Sequence, residues 1–514
     1  MLGFFAAITI ECPDVCLDLN GFELRQSEAH ALLQSFYSHI ELCNAPFVPK
    51  EGPADFVKTL KSANRVVVRN GCLGFSSHHA IHGNGAKKVL IEQLRIKLFT
   101  VAAISLNGGH DIMIRKVNAG PNRHDIPVLG TYSAAQFTVQ LAEAFMNRYS
   151  DQMTQYEMSQ LLRANGELHE NIKAVFREVM TTGETKDPLY RNNEGVIDGN
   201  AYGMVIHPLG PAVNEFVRKV AKKQLVRGVC FEDVKIHGIK INVREIPAVS
   251  GKDGKDAQRG PAGAVFQFDQ VSDGRPPHDR YYRGTKLSQL QIAMARPINR
   301  LGIKYGTFGV SQDLVDWASY GQRSGRYNIN WKCDGDSMFH LNKGVIGLRL
   351  DAVKDGCFQN ICIRDLENQG RLGNEAYCGA YKISHDAQKV PGYRGADAIG
   401  INISDSKALL FKDVDIRKVV AWNGIARGIR VMFDSCRITF KCVSIKGIKS
   451  GYVFRNGKWF GQSYYGQTVE YNSRLPNSIP ASYGFEFYQT GYVQLREVKI
   501  DKLKGPITDN IYEN

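Results

Sequence analysis

The chain has 514 residues, of which 43% are hydrophobic and 10% aromatic, enough to bury a large core; length alone allows several domains. Its net charge of +14 favours an acidic partner such as an anionic glycan, nucleic acid or anionic lipid surface, yet no Lys/Arg block or aromatic-basic motif marks a nucleic-acid module. Eleven cysteines without a CxxC pair do not resemble a disulfide framework or a zinc site, and no apolar run approaches the length of a membrane span.

Residues 2–10 are apolar but lack a basic n-region and a cleavage site, and they run into the strand-like Val15-Cys-Leu-Asp-Leu-Asn-Gly-Phe-Glu-Leu. They read as a first strand or cap and not as a signal peptide. Export by a route without a classical signal and assembly inside a cell both stay open, with an extracellular or virion setting favoured. Residues 25–56 hold a helix-like stretch, Glu28-Ala-His-Ala-Leu-Leu-Gln-Ser-Phe-Tyr, followed by a Pro-containing loop suited to covering an open end.

Residues 65–120 write one pattern twice and then in part, at an offset of 23 residues. Val66 falls on Val89, Val68 on Ile91, Leu73 on Ile96, Ile81 on Ile104 and Asn84 on Asn107, and a second step takes Val89 to Ile112 and Ile91 to Ile114. Short β-branched runs separated by Gly and Asn at such a period are the signature of a β-solenoid, whose coils bury their apolar faces only by stacking. Asn84 and Asn107 in register predict a hydrogen-bonded ladder at a corner.

Residues 133–181 carry Leu141, Phe145, Leu161, Leu162, Leu168, Ile172, Val175 and Phe176 at helical spacings, which predicts amphipathic helices inserted between coils as a cover, a lid or an oligomerisation arm. Coil-like phrasing returns at 203–243, and 247–283 is a Gly/Pro-rich excursion. A recurrent phrase places apolar residues at positions 1, 3, 6 and 8: Val89, Ile91, Leu94, Ile96; Val229, Phe231, Val234, Ile236; Leu409, Phe411, Val414, Ile416; Ile438, Phe440, Val443, Ile445; and Val493, Leu495, Val498, Ile500. Ile361, Ile363 and Leu366 read as a further copy whose last place is Asn368, and Cys357 and Cys362 as small core residues. The step of three between two steps of two says that the chain turns a corner between short inward-facing strands. Residues 371–395 and 451–481 are long aromatic-containing loops, and solenoid insertions of this kind usually build the binding face.

These phrases resemble the right-handed parallel β-helix proteins of the pectate-lyase-like superfamily over 8–120 and 345–505, with a patchier stretch at 228–243. The resemblance implies an all-β, single-stranded right-handed parallel β-helix with an inserted α-helical segment and long loops. Its parts are N-terminal coils with a cap (1–132), a helical insertion (133–182), further coils with long excursions (183–344) and C-terminal coils (345–514). Leu17-Asp-Leu-Asn-Gly-Phe-Glu-Leu and His78-His-Ala-Ile-His-Gly-Asn are also similar to uncharacterised β-helix proteins of large DNA viruses and aquatic microbes.

The chemistry concentrates in Ser76-Ser-His-His-Ala-Ile-His-Gly-Asn and, one coil later, in Asn107, His110, Asp111 and Arg115. Coil geometry predicts that His79, His82 and Asp111 share a neighbourhood, and imidazole beside carboxylate suits proton transfer near neutral pH; ordinary corner packing explains the same residues. Arg95-Ile-Lys matches a tripeptide of pectin hydrolases, but Ile96 is an inward repeat position and the paired aspartates of that family are absent. No compact spacing fits a metal site. Asp233, Asp365 and Asp413 recur just before the middle apolar place, with Glu497, Gln93 and Cys442 there in other copies; a broken acidic row leaves calcium open as a cofactor, and a solvated corner explains it equally.

Two functions stay open. One is a scaffold that binds, and as a polysaccharide lyase or glycoside hydrolase would process, an anionic polysaccharide. Asn84, Asn107, Arg115, Trp459, Tyr464 and Tyr465 are its candidate substrate-binding residues. The other is a non-enzymatic component of an external assembly such as a virion shell, fibre or spike, with neighbouring copies as partners.

Overall fold

The structure, a computed structural model, describes residues 5–33, 37–44, 60–123, 145–182, 201–208, 226–241, 344–370, 397–462, 468–471 and 479–513, with single helical positions in 135–143 and 286–301. Among these, a ten-stranded sheet, here sheet I, runs Phe5–Thr9, Tyr37–Glu41, His79–Asn84, Ala102–Asn107, Ala201–His207, Val345–Asp351, Ala398–Ser404, Ala426–Met432, Ala481–Tyr488 and Ile507–Glu513. Sheet II runs Cys16–Asp18, Asn64–Leu73, Lys87–Ile96, His110–Ala119, Val226–His237, Val353–Asn368, Lys407–Ala421, Cys436–Ser450 and Val493–Asp501, with Glu23–Leu24 and Lys240–Ile241 beside it. Along the chain the strands of the two sheets interleave, and all pair in parallel, so the fold is a parallel β-solenoid. Val66, Val89 and Ile112 lie in one column that continues through Val229, Gly356, Leu409, Ile438 and Val493.

The corners are made by single left-handed residues. Asn70, Gln93, Lys116, Asp233, Asn360, Asp413, Cys442 and Glu497 occupy one bend of sheet II on successive coils, with φ from 52° to 58°. L residues avoid this region at a cost of about 1–2 kcal/mol, and Asn and Asp pay least because their short side chains bond locally. The recurrence of Asp before the middle apolar place thus follows from backbone conformation. It is also not one row: Asp365 sits at the next bend, where Lys418 of the following coil meets it at 3.1 Å.

The inward columns are apolar. Phe358, Phe411 and Phe440 stack ring on ring at centroid distances of 4.5 and 4.9 Å, Phe231 packs tilted on Phe358 at 5.2 Å, and all are buried. The reading of Ile361, Ile363, Leu366 and Asn368 as places 1, 3, 6 and 8 is out of phase: Ile361 pairs with Val414, so Gly356 and Phe358 hold the first two places. Steps of two and three repeat every five residues, which makes a slip of five invisible to hydrophobicity alone. Val498, in the last strand of sheet II, is only half-buried because no described strand covers that side. Cys357 and Cys362 are not core residues; both lie between inward positions and are half-buried on the outer face.

In sheet I, a Cβ on Gly400 would lie 2.4 Å from the Gly428 carbonyl and 3.0 Å from Ile416 Cγ2, so this column needs glycine from Gly203 to Gly484, whereas Ala80 and Ala103 fill it on earlier coils. Gly400 and Ile401 both face the core, and the outward positions flanking such a pair are three residues apart. Helix Gln155–Thr182 starts on a reciprocal cap, Glu157 N–H to Thr154 Oγ1 at 3.2 Å and Thr154 N–H to Glu157 Oε2 at 2.9 Å. It buries Leu161, Leu168, Ile172 and Val175, whereas Leu162, grouped with them by spacing, is 57% exposed.

Truncating Phe411 or Phe440 to Ala is expected to cost about 3–5 kcal/mol of unfolding free energy in a denaturant titration. Leu410→Ala, on the outer face and 41% exposed, is expected to cost under about 1 kcal/mol.

Candidate functional site

In the coil of the histidines Ala80 holds the place of Gly400; Ala80 and Ile81 face the core, which leaves His79 and His82 on the same outer face, where their rings stack 5.3 Å apart at 8°. His82 meets a carboxylate, but that of Glu41 in the preceding coil, directly opposite in register: Nδ1 lies 2.8 Å from Oε2 and 3.0 Å from Oε1. One coil onward, Asn107 Nδ2 lies 3.1 Å from His82 Nε2 and donates to Asn84 Oδ1 at 2.9 Å, the ladder that the repeat predicts. An amide donor at Nε2 places the imidazole proton on Nδ1, from which it is donated to Glu41. The Cys43 thiol also donates to Glu41, at 2.9 Å. Both ring nitrogens of His82 are engaged, and the pair is 7% and 2% exposed.

Burial keeps the surrounding imidazoles neutral. It drives His78 down to about 3, with His82 adding to the effect, and holds His79 well below its ordinary value. His207, in register with Asn107, and His39 are each pulled by burial down to about 4. Farther along the face, Arg349 bonds Asp351 at 2.5 Å and the Tyr202 hydroxyl at 2.9 Å, and the Asp351 charge raises its pKa. Arg427 is buried: desolvation pulls its pKa down, but Asp397 and Glu486 more than offset this. It donates to Asp397 Oδ2 at 2.5 Å and to Glu486 Oε1 at 3.2 Å, and Arg430 shares Glu486 at 2.7 Å. The outer face of sheet I therefore holds a buried ion pair, Arg427 with Glu486, where loss of one partner leaves a costly buried charge, amid half-buried ones.

Asp111 lies elsewhere. Gly108 and Gly109, both with positive φ, turn the chain from sheet I into sheet II, where Asp111 is exposed beside His110 at 3.3 Å. Arg115 is on the outer face of sheet II and bonds Glu92 at 2.7 Å. Trp459 belongs to a hairpin, Val453–Arg455 with Lys458–Gln462, and packs on Gly451, whose added Cβ would meet its ring at 2.7 Å. Tyr452 lies 5.0 Å from Trp422, and Tyr471 donates to the Trp422 carbonyl at 3.2 Å, so these aromatics rest on the solenoid; Phe454 is 56% exposed. The hairpin precedes the sheet I strand six places beyond that of His82, roughly 29 Å along the axis. Tyr464 and Tyr465 lie outside the described residues.

The outer face of sheet II is different: it is solvated and basic. Lys407–Ala421 carries four basic and two acidic residues, Cys436–Ser450 four basic and no acidic, and 493–504 four and two. These three segments of adjacent coils thus supply +8 of the net +14. Parallel register aligns the charges, placing Lys412, Lys441 and Arg496 in one column and Arg417 beside Lys446. Whole-chain charge did not reveal this, because the three segments are far apart in sequence.

Among the described residues no cluster of three or more His, Cys, Asp and Glu is placed to hold a metal ion, and no helix is long and apolar enough to cross a membrane. No protein-family profile and no curated protein matches the chain. Solved structures with some similarity include a mutant tailspike protein of E. coli bacteriophage HK620 in complex with a pentasaccharide, at 7% identity and a TM-score of 0.27, covering 95% of this chain and 53% of the tailspike. The surface adhesin PfbA of Streptococcus pneumoniae aligns at 8% identity and a TM-score of 0.28, covering 98% of this chain and 83% of the adhesin. A GH87 α-1,3-glucanase catalytic domain in complex with nigerose aligns at 9% identity and a TM-score of 0.20, covering 99% and 64%. The chain spans about half the length of the tailspike. Overlaps this shallow carry no inference about activity.

The buried imidazoles set a pH dependence. Their folded pKa values lie below that of an unfolded histidine, about 6.5, so the unfolded state takes up protons first. Stability is full above that value and is expected to fall as pH drops towards 4, each such histidine contributing up to about 1.4 kcal/mol per pH unit. Urea titrations across this window measure the slope, and His207→Asn is expected to reduce it by one histidine's share.

Proposed function

We propose that this β-solenoid binds an anionic polysaccharide, or a surface coated with one, along the outer face of sheet II over its last three coils. The observation that carries this is the basic face just described, aligned by register across Lys407–Ala421, Cys436–Ser450 and 493–504. Charges in a column recur at about 4.8 Å, the spacing of neighbouring strands, and offer an extended polyanion successive contacts along the axis. Ammonium and guanidinium groups suit carboxylate and sulfate, and a solvated face keeps the attraction sensitive to salt. The exposed Phe454 ring, on a hairpin that follows the middle basic strand, is available to stack on a sugar face.

A second reading, a structural part of an external assembly, is favoured by His82. With both ring nitrogens engaged by Glu41 and Asn107, its packing role is already complete. A lyase or hydrolase activity at His79 and His82 is a separate proposal that the same assay addresses; Asp111, on the other sheet, has no part in it.

Polygalacturonate and heparin are expected to bind the chain at low salt and to be released by salt, while neutral dextran does not bind. The double substitution of Lys441 and Lys446 to Glu is expected to weaken binding at least tenfold, and His82→Gln to leave it unchanged. Equal binding by the Lys441/Lys446 variant would reject this face as the site. Turnover of either polymer that disappears in His82→Gln, with binding retained, would make the chain an enzyme.

A further inference from the structure

The sequence holds no CxxC pair, but the fold builds a pair of facing cysteines from segments far apart in the chain. Cys230 stands between the inward Val229 and Phe231, and Cys357 between the inward Gly356 and Phe358, so both side chains lie on the outer face of sheet II. Parallel register sets the two directly opposite each other on adjacent coils. The preceding coil puts Met113 in the same column, and the following one puts Leu410 there. Met113, Cys230 and Cys357 are all half-buried, which lowers their contact with water without closing them off.

Among the described residues no other two cysteines face each other across adjacent strands. Cys72 has Glu23 and Arg95 as its register neighbours, Cys362 has Lys235 and Asp415, and Cys436 has Lys407. Burial raises the pKa of the Cys230 thiol and the charge of Cys357 adds to the rise, so each sulfur lies within the other's field.

Geometry selects what such a pair holds. Side chains in register on parallel strands project side by side at about 4.8 Å. A disulfide draws its Cβ atoms to about 3.8 Å, closer than that spacing. Two thiolates bonded to one ion at about 2.3 Å each, the length of a zinc–thiolate bond, lie up to roughly 4.6 Å apart, so an ion fits between them with the backbone in place. Zinc takes four donors, and among the described residues no third His, Cys, Asp or Glu completes the set here. Thiolate and thioether donors are the combination that selects copper(I), which takes two or three.

We propose that Cys230 and Cys357, with the Met113 thioether beside them, form a binding site for a soft monovalent metal ion, copper(I). Each thiol gives up its proton as its sulfur bonds the ion, so two protons leave per ion bound and no electron is transferred. Affinity therefore falls as pH drops. The site lies on coils before the basic ones and does not depend on glycan binding.

Titration of the reduced chain with copper(I) against the chelator bicinchoninate, without oxygen, tests this. The tightest site is expected to hold one ion per chain. Cys230→Ser and Cys357→Ser are each expected to weaken it by more than the roughly 10–100-fold that loss of an outer-shell partner costs, and Met113→Leu by less than either. Cys362→Ser, on the same strand as Cys357 but with no facing thiol, is expected to leave it unchanged. X-ray absorption of the copper-loaded parent needs no variant and is expected to show two or three sulfur neighbours. A parent chain that holds no copper(I) against the chelator, tight binding that survives in both Cys230→Ser and Cys357→Ser, an equal loss in Cys362→Ser, or nitrogen and oxygen neighbours in place of sulfur would each overturn the proposal.

Discussion

A parallel coil turns its corner only where a residue leaves the extended region, and here that residue takes φ between 52° and 58° at the same bend on eight coils. With the bend held at one place, every following side chain keeps its side of the sheet, and residues of different coils fall into columns. The Phe231, Phe358, Phe411 and Phe440 column, the Asn84–Asn107 bond and the alignment of Lys412, Lys441 and Arg496 are consequences of that registration. A slip of one residue at one bend would turn Phe411 to solvent and Lys412 inward.

The two outer faces handle charge in opposite ways. On sheet I, Glu41 is buried against His82, and Arg427 is buried between Asp397 and Glu486. On sheet II, the basic side chains of the last three coils remain in solvent and outnumber their acidic neighbours. Desolvated pairs rigidify a surface and exclude a soluble ligand. Solvated excess charge does the reverse: it leaves a long-range field for an anionic partner, which is why functional interest moves from the histidines to sheet II.

Much of this was legible in the residues. The 23-residue offset stacks Val66 on Val89 and Asn84 on Asn107 because those coils have equal length and no insertion. Glu41 was hidden because its coil is interrupted before His82, leaving the two 41 residues apart with no repeat to align them. Asp111 seemed close to His82 because the sequence does not show that Gly108 and Gly109 carry the chain onto the other sheet. The phase of Ile361 was lost to a pattern that repeats itself every five residues, and the Asp-rich corner looked like a ligand row because left-handed backbone and metal binding favour the same side chain.

The dependence of the fold on its left-handed corners is tested most directly at Lys116, which is exposed, has φ 52° and occupies the bend between Ile114 and Val117. Lys116→Gly relieves the left-handed strain and Lys116→Val, β-branched, increases it, while the core packing stays the same in both. Unfolding free energies from denaturant titration are predicted to place the Gly variant at or above the parent and the Val variant at least about 1 kcal/mol below it. A Val variant as stable as the parent, or a Gly variant less stable than the Val one, would contradict the account.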